Sequence, residues 1–167
     1  AAKIAKRVVA VEAIPALVQE MRNNLEENSV LDKVDVVWGI VGNGSGMFAD
    51  STIRENNLGN EMPPALKMQD VMEKYSLEQI DFLKIDIEGS EFDMFKTPES
   101  WMKKVKYIAM EAHASFSSDG TMVPCGNIDD LRKVIEGVGF EVRLLDLNGK
   151  PAKTIKDEPV YLFAKRK

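Results

Sequence analysis

The run Ile80-Asp81-Phe82-Leu83-Lys84-Ile85-Asp86-Ile87-Glu88-Gly89-Ser90-Glu91 places carboxylates where an apolar strand should end and a glycine lets the chain turn. A buried strand excludes charge, because an unpaired carboxylate costs several kcal/mol or shifts its pKa. Lys84, Asp86 and Glu88 alternate at period two, which points all three to one face if the strand continues through them. A second apolar run, Val105 to Met110, leads into Glu111-Ala112-His113, and a third, Arg7 to Glu12, also closes on an acid. Ligands of open α/β sheets bind at such strand ends. The placement of Asp86, Glu88, Glu111 and His113 at such ends therefore suggests a site.

The elements that must hold these groups read as alternating strands and helices. Pro15 suits the first turn of a helix after Glu12. Ile14, Leu17, Val18, Met21 and Leu25 then share one face through about Asn28. Val34 to Val41 reads as a buried strand, and residues 43–60 as a long loop rich in Gly, Asn and Ser. Leu66 to Met68 suits a short edge strand, with Asp70 capping a helix that reaches Tyr75. Asp81 to Ile87 is the strand carrying the acids, followed by a helix over Ser90 to Phe95 that Thr97-Pro98-Glu99 restarts.

After Val105 to Met110, His113 to Gly126 reads as a polar loop placed to act as a lid. Asn127 caps a helix with Ile128, Leu131, Val134, Ile135 and Val138 on one face, stopped by Gly139. Phe140 to Leu147 and Pro159 to Ala164 close the chain as strands. This alternation implies a doubly wound, mostly parallel α/β sheet, Rossmann-like, with an antiparallel pair at its C-terminal edge. Residues 1–167 read as one domain.

The chain has 167 residues, 44% hydrophobic and 29% charged, an ordinary globular balance. Its net charge of −5 and scattered Lys and Arg argue against nucleic acid as the main partner. No apolar run has the length of a membrane span, so no membrane partner is expected. Cys125, the only cysteine, precludes an internal disulfide and suits a reducing cytoplasm.

Taken together, these residues resemble the FkbM-type S-adenosylmethionine-dependent methyltransferases. The resemblance runs from Arg7 to His113. It is carried by Val-Val-Ala-Val-Glu-Ala-Ile-Pro at 8–15, Asn-Asn-Leu-Glu-Glu-Asn at 23–28 and Ile-Val-Gly-Asn-Gly-Ser-Gly at 40–46. Leu-Lys-Met-Gln-Asp-Val-Met at 66–72, the 80–91 run and Met-Glu-Ala-His at 110–113 complete it. The Lys-x-Asp-x-Glu-Gly-x-Glu element is the most specific of these. The resemblance implies the class I methyltransferase fold, S-adenosyl-L-methionine as methyl donor and, as acceptor, a small-molecule, sugar or polyketide-like hydroxyl.

On this chain the resemblance implies that Glu12 accepts the ribose hydroxyls, as an acid does in dinucleotide sites. Ile14 would pack near the adenine, Gly39 and Ile40 would wall its pocket, and Asp86 and Glu88 would sit at the donor's methionine end and the acceptor. The catalytic set is then Asp86, Glu88, Glu111 and His113, with Glu88, Glu111 and His113 the candidates to take the hydroxyl proton, a contribution of roughly 10²–10⁴-fold in rate. A divalent cation on those four is chemically feasible, but their spacing is not diagnostic and no metal is expected. Glu91 falls in a first helical turn, where an acid favours the helix dipole.

One departure from the pattern matters. The family's first strand and its Gly-rich loop should precede Arg7, between the strands bearing Glu12 and Asp86, and only Ala1 to Lys6 stand there. A complete donor pocket is therefore not expected from these residues alone. Unpaired strand edges would favour association with another copy of the chain. The rival readings are a truncated non-catalytic domain and a nucleotide-binding α/β module with other chemistry.

Overall fold

The computed structural model describes residues 1–42, 62–116, 122–152 and 160–167. The expected loop at 43–60 lies outside them. The order is β1 (Val8–Glu12), α1 (Pro15–Glu27), β2 (Val34–Trp38), β3 (Ile40–Val41), β4 (Ala65–Leu66), α2 (Met68–Lys74), β5 (Ile80–Ile85) and α3 (Glu91–Met94). There follow a 3-10 segment (Ser100–Lys104), β6 (Val105–Ala112), β7 (Ala114–Phe116), β8 (Met122–Pro124), α4 (Ile128–Gly137), β9 (Phe140–Leu145) and β10 (Val160–Arg166).

The largest sheet has the order β5-β6-β10-β9. β5 and β6 are parallel, and β10 is antiparallel to both β6 and β9. Three of its four strands therefore run one way and β10 alone runs against them, as the C-terminal sequence pattern predicts. β1 and β2 form a separate parallel pair in register Val8↔Val34 to Glu12↔Trp38. No ladder joins β1 to β5 among the described residues; Arg7, just before β1, binds Asp35 of β2 at 2.8 Å and donates to the carbonyl of Tyr75, at the end of α2, at 2.6 Å.

The core lies on one face of the large sheet. Ile85, Ile108, Met110, Leu162 and Ala164 alternate inward along β5, β6 and β10 and meet Met72 of α2, Phe95, Trp101, and Leu131 and Ile135 of α4. Phe95 and Trp101 meet edge to face at 5.5 Å. Burying each large apolar side chain there stabilises by roughly 1.5–3 kcal/mol. Arg166, at the end of β10, lies 4.2 Å over the Phe140 ring and donates to the carbonyls of Val105, Val138 and Met102, tying together three chain segments. On the opposite face Phe82, Tyr107 and Phe163 are exposed. No described helix is long and apolar enough to cross a membrane.

Local signals explain most elements. Pro15 occupies the first turn of α1, and the Asn127 side chain accepts from the backbone N–H of Asp129 and Asp130 at the start of α4. Four expectations need correction. The strand expected over 34–41 is interrupted at Gly39, whose N–H turns aside to the Glu12 carbonyl at 3.0 Å while Ile40 bonds Pro64. Helix α2 has Lys67 at its N-cap, and Asp70 sits inside its first turn. The 113–126 segment, read as a loop, contains the antiparallel pair β7–β8.

The fourth correction concerns the acids. β5 ends at Ile85, so Asp86 and Glu88 stand beyond the strand in a tight turn where Glu88 has φ +54 and Gly89 φ +99. The common face expected of Lys84, Asp86 and Glu88 is therefore made by that turn rather than by strand alternation.

Candidate functional site

The parallel register of β5 with β6 sets Ile85 beside Met110, so the residues leaving each strand emerge side by side. Asp86 and Glu88 leave β5; Glu111 is the penultimate residue of β6 and His113 follows its end. The turn through Glu88 and Gly89 then carries the chain back so that Glu91, in α3, reaches both Ile87 and His113. Glu91 Oε1 accepts from the Ile87 N–H at 3.1 Å, a bond the turn alone makes possible. The same oxygen lies 2.9 Å from His113 Nδ1.

His113 is thus the hub. Its Nδ1 is held by Glu91, which has no exposed surface, and its Nε2 faces Asp86 Oδ1 at 3.6 Å, Glu111 Oε1 at 3.6 Å and Glu88 Oε2 at 3.8 Å. Asp86 and Glu88 are about half exposed, whereas the His113 side chain keeps only 14% of its surface. Lys84 reaches back to Asp86 Oδ2 at 3.1 Å and is the one cation paired with this group among the described residues. The hydrogen bond to Glu91 raises the His113 pKa above its ordinary value; burial opposes this, and the charges of Glu91, Glu88 and Glu111 add to it. The resulting group can accept protons, hold a cation or orient a hydroxyl.

The structure therefore brings together all four residues expected at the catalytic end. It adds Glu91, which sequence reasoning had left to the helix dipole. The signal that could have found it is the spacing of three acids around Gly89: a reversal there returns the third beside the first.

The residues expected at the donor are placed differently. Glu12 ends β1, and its Oε1 accepts from the Ile14 N–H at 2.8 Å, so part of its capacity starts α1. It also lines a cavity of about 840 Å³ with Val8, Ala10, Leu17, Met21 and Leu25. Asp86, Glu88, Glu111 and His113 do not line that cavity. No hydrogen bond or ion pair joins Glu12, Ile14, Gly39 or Ile40 to the His113 group among the described residues. Gly39 has a packing reason of its own: a Cβ there would come within 2.4 Å of the Leu66 side chain. Ile40 is buried. At Gly42, after β3, an added Cβ would stand 3.8 Å from Ser90 at the start of α3.

For the nucleoside donor that the sequence pattern implies, the fit rests on Glu12. Only Oε1 is engaged among the described residues, which leaves Oε2 for a diol.

No curated protein matches the chain closely enough to count as a relative. Among solved structures, a precorrin-6y C5,15-methyltransferase from Geobacter metallireducens GS-15 is similar at a TM-score of 0.46 and 15% identity, over 96% of this chain and 66% of that one. The chain thus spans about two thirds of that protein's length. The family described as Methyltransferase FkbM domain matches residues 2–142, the greater part of the chain, and includes every residue of the His113 group. The chain belongs to the FkbM methyltransferase family.

Proposed function

We propose that this chain carries a methyl group from S-adenosyl-L-methionine to a hydroxyl oxygen of a small-molecule, sugar or polyketide-like acceptor. The observation that carries the reading is the convergence of Asp86, Glu88, Glu111 and His113 at the carboxyl ends of two adjacent parallel strands. S-adenosyl-L-methionine, when bound, supplies an electrophilic methyl group that needs only an aligned oxygen and somewhere for the hydroxyl proton to go.

Glu12 would hold the ribose diol through Oε2, with Ile14 and Ile40 beside the adenine. At the other end the acids align the acceptor hydroxyl, and alignment is the larger part of the work in such a displacement. Glu88, Glu111 and His113 are the groups placed to take the hydroxyl proton, and Glu91 holds the imidazole among the acids. The cytoplasm suits this chemistry and the single cysteine.

The non-catalytic reading draws on a specific observation too: β1 and β5 share no ladder among the described residues. Calorimetric titration with S-adenosylhomocysteine separates the two. Micromolar binding that Glu12→Ala weakens at least about tenfold, or 1.4 kcal/mol, supports methyl transfer. Absence of binding to the folded protein supports the non-catalytic domain.

A further inference from the structure

We propose that Asp86, Glu88 and His113 form a binding site for one divalent cation of the Mn²⁺ type, with Glu91 as the buried carboxylate that orients the imidazole toward it. One ligand atom from each of the three residues lies within 4.8 Å of the others. The individual separations, 3.6 Å from His113 Nε2 to Asp86 and 3.8 Å to Glu88, are too long for hydrogen bonds. They do match the spacing of ligands around an ion: at bond lengths of about 2.1–2.2 Å, neighbouring and opposite ligands of a six-coordinate cation stand roughly 3.0–4.4 Å apart.

Glu91 supplies an independent indication. A fully buried carboxylate is costly unless its charge is compensated. Its Oε1 holds His113 Nδ1, while its Oε2 has no hydrogen-bond partner among the described residues. This is the arrangement by which proteins fix a metal-binding histidine: a carboxylate on one ring nitrogen sets the tautomer and leaves the other nitrogen's lone pair for the ion. A cation at Nε2 would polarise the ring toward Glu91 and compensate the buried charge.

Two carboxylate oxygens and one imidazole nitrogen suit Mn²⁺, a hard ion that also accepts nitrogen. The turn that presents Asp86 and Glu88 is solvent-exposed on its outer side, which leaves coordination positions for water or an acceptor hydroxyl. With Asp86 and Glu88 engaged, Glu111, 3.6 Å from His113 Nε2, is the group left to take a proton. The inference goes beyond the methyl-transfer reading and does not need the donor to bind.

His113 is the only histidine in the chain, so its Hε1 proton is the only imidazole Hε1 resonance in the spectrum. The experiment is a proton NMR titration of the folded protein with Mn²⁺ alone, alongside a count of bound Mn²⁺ from its electron paramagnetic resonance signal. One equivalent should bind, and about a tenth of an equivalent should broaden the His113 resonance selectively. Asp86→Asn and Glu88→Gln should each weaken binding at least about tenfold. Asp81→Asn, which removes an exposed acid paired with Lys106 at 2.7 Å, should leave it unchanged. Shifted methyl resonances in the same spectra report that each variant is folded. No Mn²⁺ bound by the folded wild type would overturn the site, as would binding that ignores both substitutions or spares the His113 resonance. S-adenosylhomocysteine titration of the same samples reads donor affinity separately, so failure of one reading is distinguishable from failure of the other.

Discussion

Glu91 Oε1 lies 2.9 Å from His113 Nδ1, and the carboxylate that makes this contact has no solvent-exposed surface. One oxygen thereby joins the start of α3 to the exit of β6 and, through the Ile87 N–H, to the turn after β5. A group that fastens three segments at once is structural and functional together, because the segments it fastens are those that carry the acids.

Replacing Glu91 with alanine leaves both the Ile87 N–H and His113 Nδ1 without their partner. The expected loss is about 2–4 kcal/mol, read from the urea midpoint at constant m. Glu91→Gln retains the shape and one acceptor, so it should cost less than Glu91→Ala.

The raised pKa of His113 gives stability a definite pH dependence in chelator-treated protein. A folded-state pKa above the unfolded value means that the protonated ring favours the fold. The contribution is complete below the unfolded value of about 6.5 and fades as pH rises through the raised one. The groups facing the ring are Glu91, Asp86, Glu88 and Glu111. The melting temperature of the wild type should therefore fall more steeply above pH 6.5 than that of His113→Gln; parallel curves would show that the ring does not contribute in this way.

Glu88 holds φ at +54, a conformation that costs a residue with a side chain about 1–2 kcal/mol. Glu88→Gly should therefore stabilise the fold by up to about 1 kcal/mol while lowering methyl transfer about 10²-fold. Paired measurement of the denaturation midpoint and turnover checks this, and a variant losing both would point to a purely structural Glu88.

Gly126 lies against Phe92 of α3, where an added Cβ would stand 2.4 Å from the ring. Gly126→Ala should cost about 1–3 kcal/mol. Because Phe92 is the neighbour of Glu91, the change should also shift the His113 NMR resonance. An unshifted resonance would show that α3 absorbs the strain elsewhere.

Residues with local effects were legible in the sequence. Pro15 and Asn127 act within a turn of themselves, and the helices they open are found where they predict. The acids at Asp86 and Glu88 were legible as a site because charge at the end of an apolar run has no packing explanation. Glu91 was not, since its role depends on two backbone conformations at Glu88 and Gly89 and on the register of β6, neither of which a residue type encodes. Gly39, expected to wall the adenine pocket, also lies against the Leu66 side chain, a neighbour that residue type does not announce. Whether β1 and β5 pair was not decided by residue types, and that no ladder joins them among the described residues needed the structure.

Helix α1 contributes no buried residue, and β1 is only partly covered along its whole length. Few apolar contacts and a solvent-facing ladder mean a low free energy of local opening. Amide hydrogens of Val8 to Trp38 should accordingly exchange with deuterium well before those of β6 and β10. Protection gained there on adding a nucleoside would register occupancy even in a variant that turns nothing over.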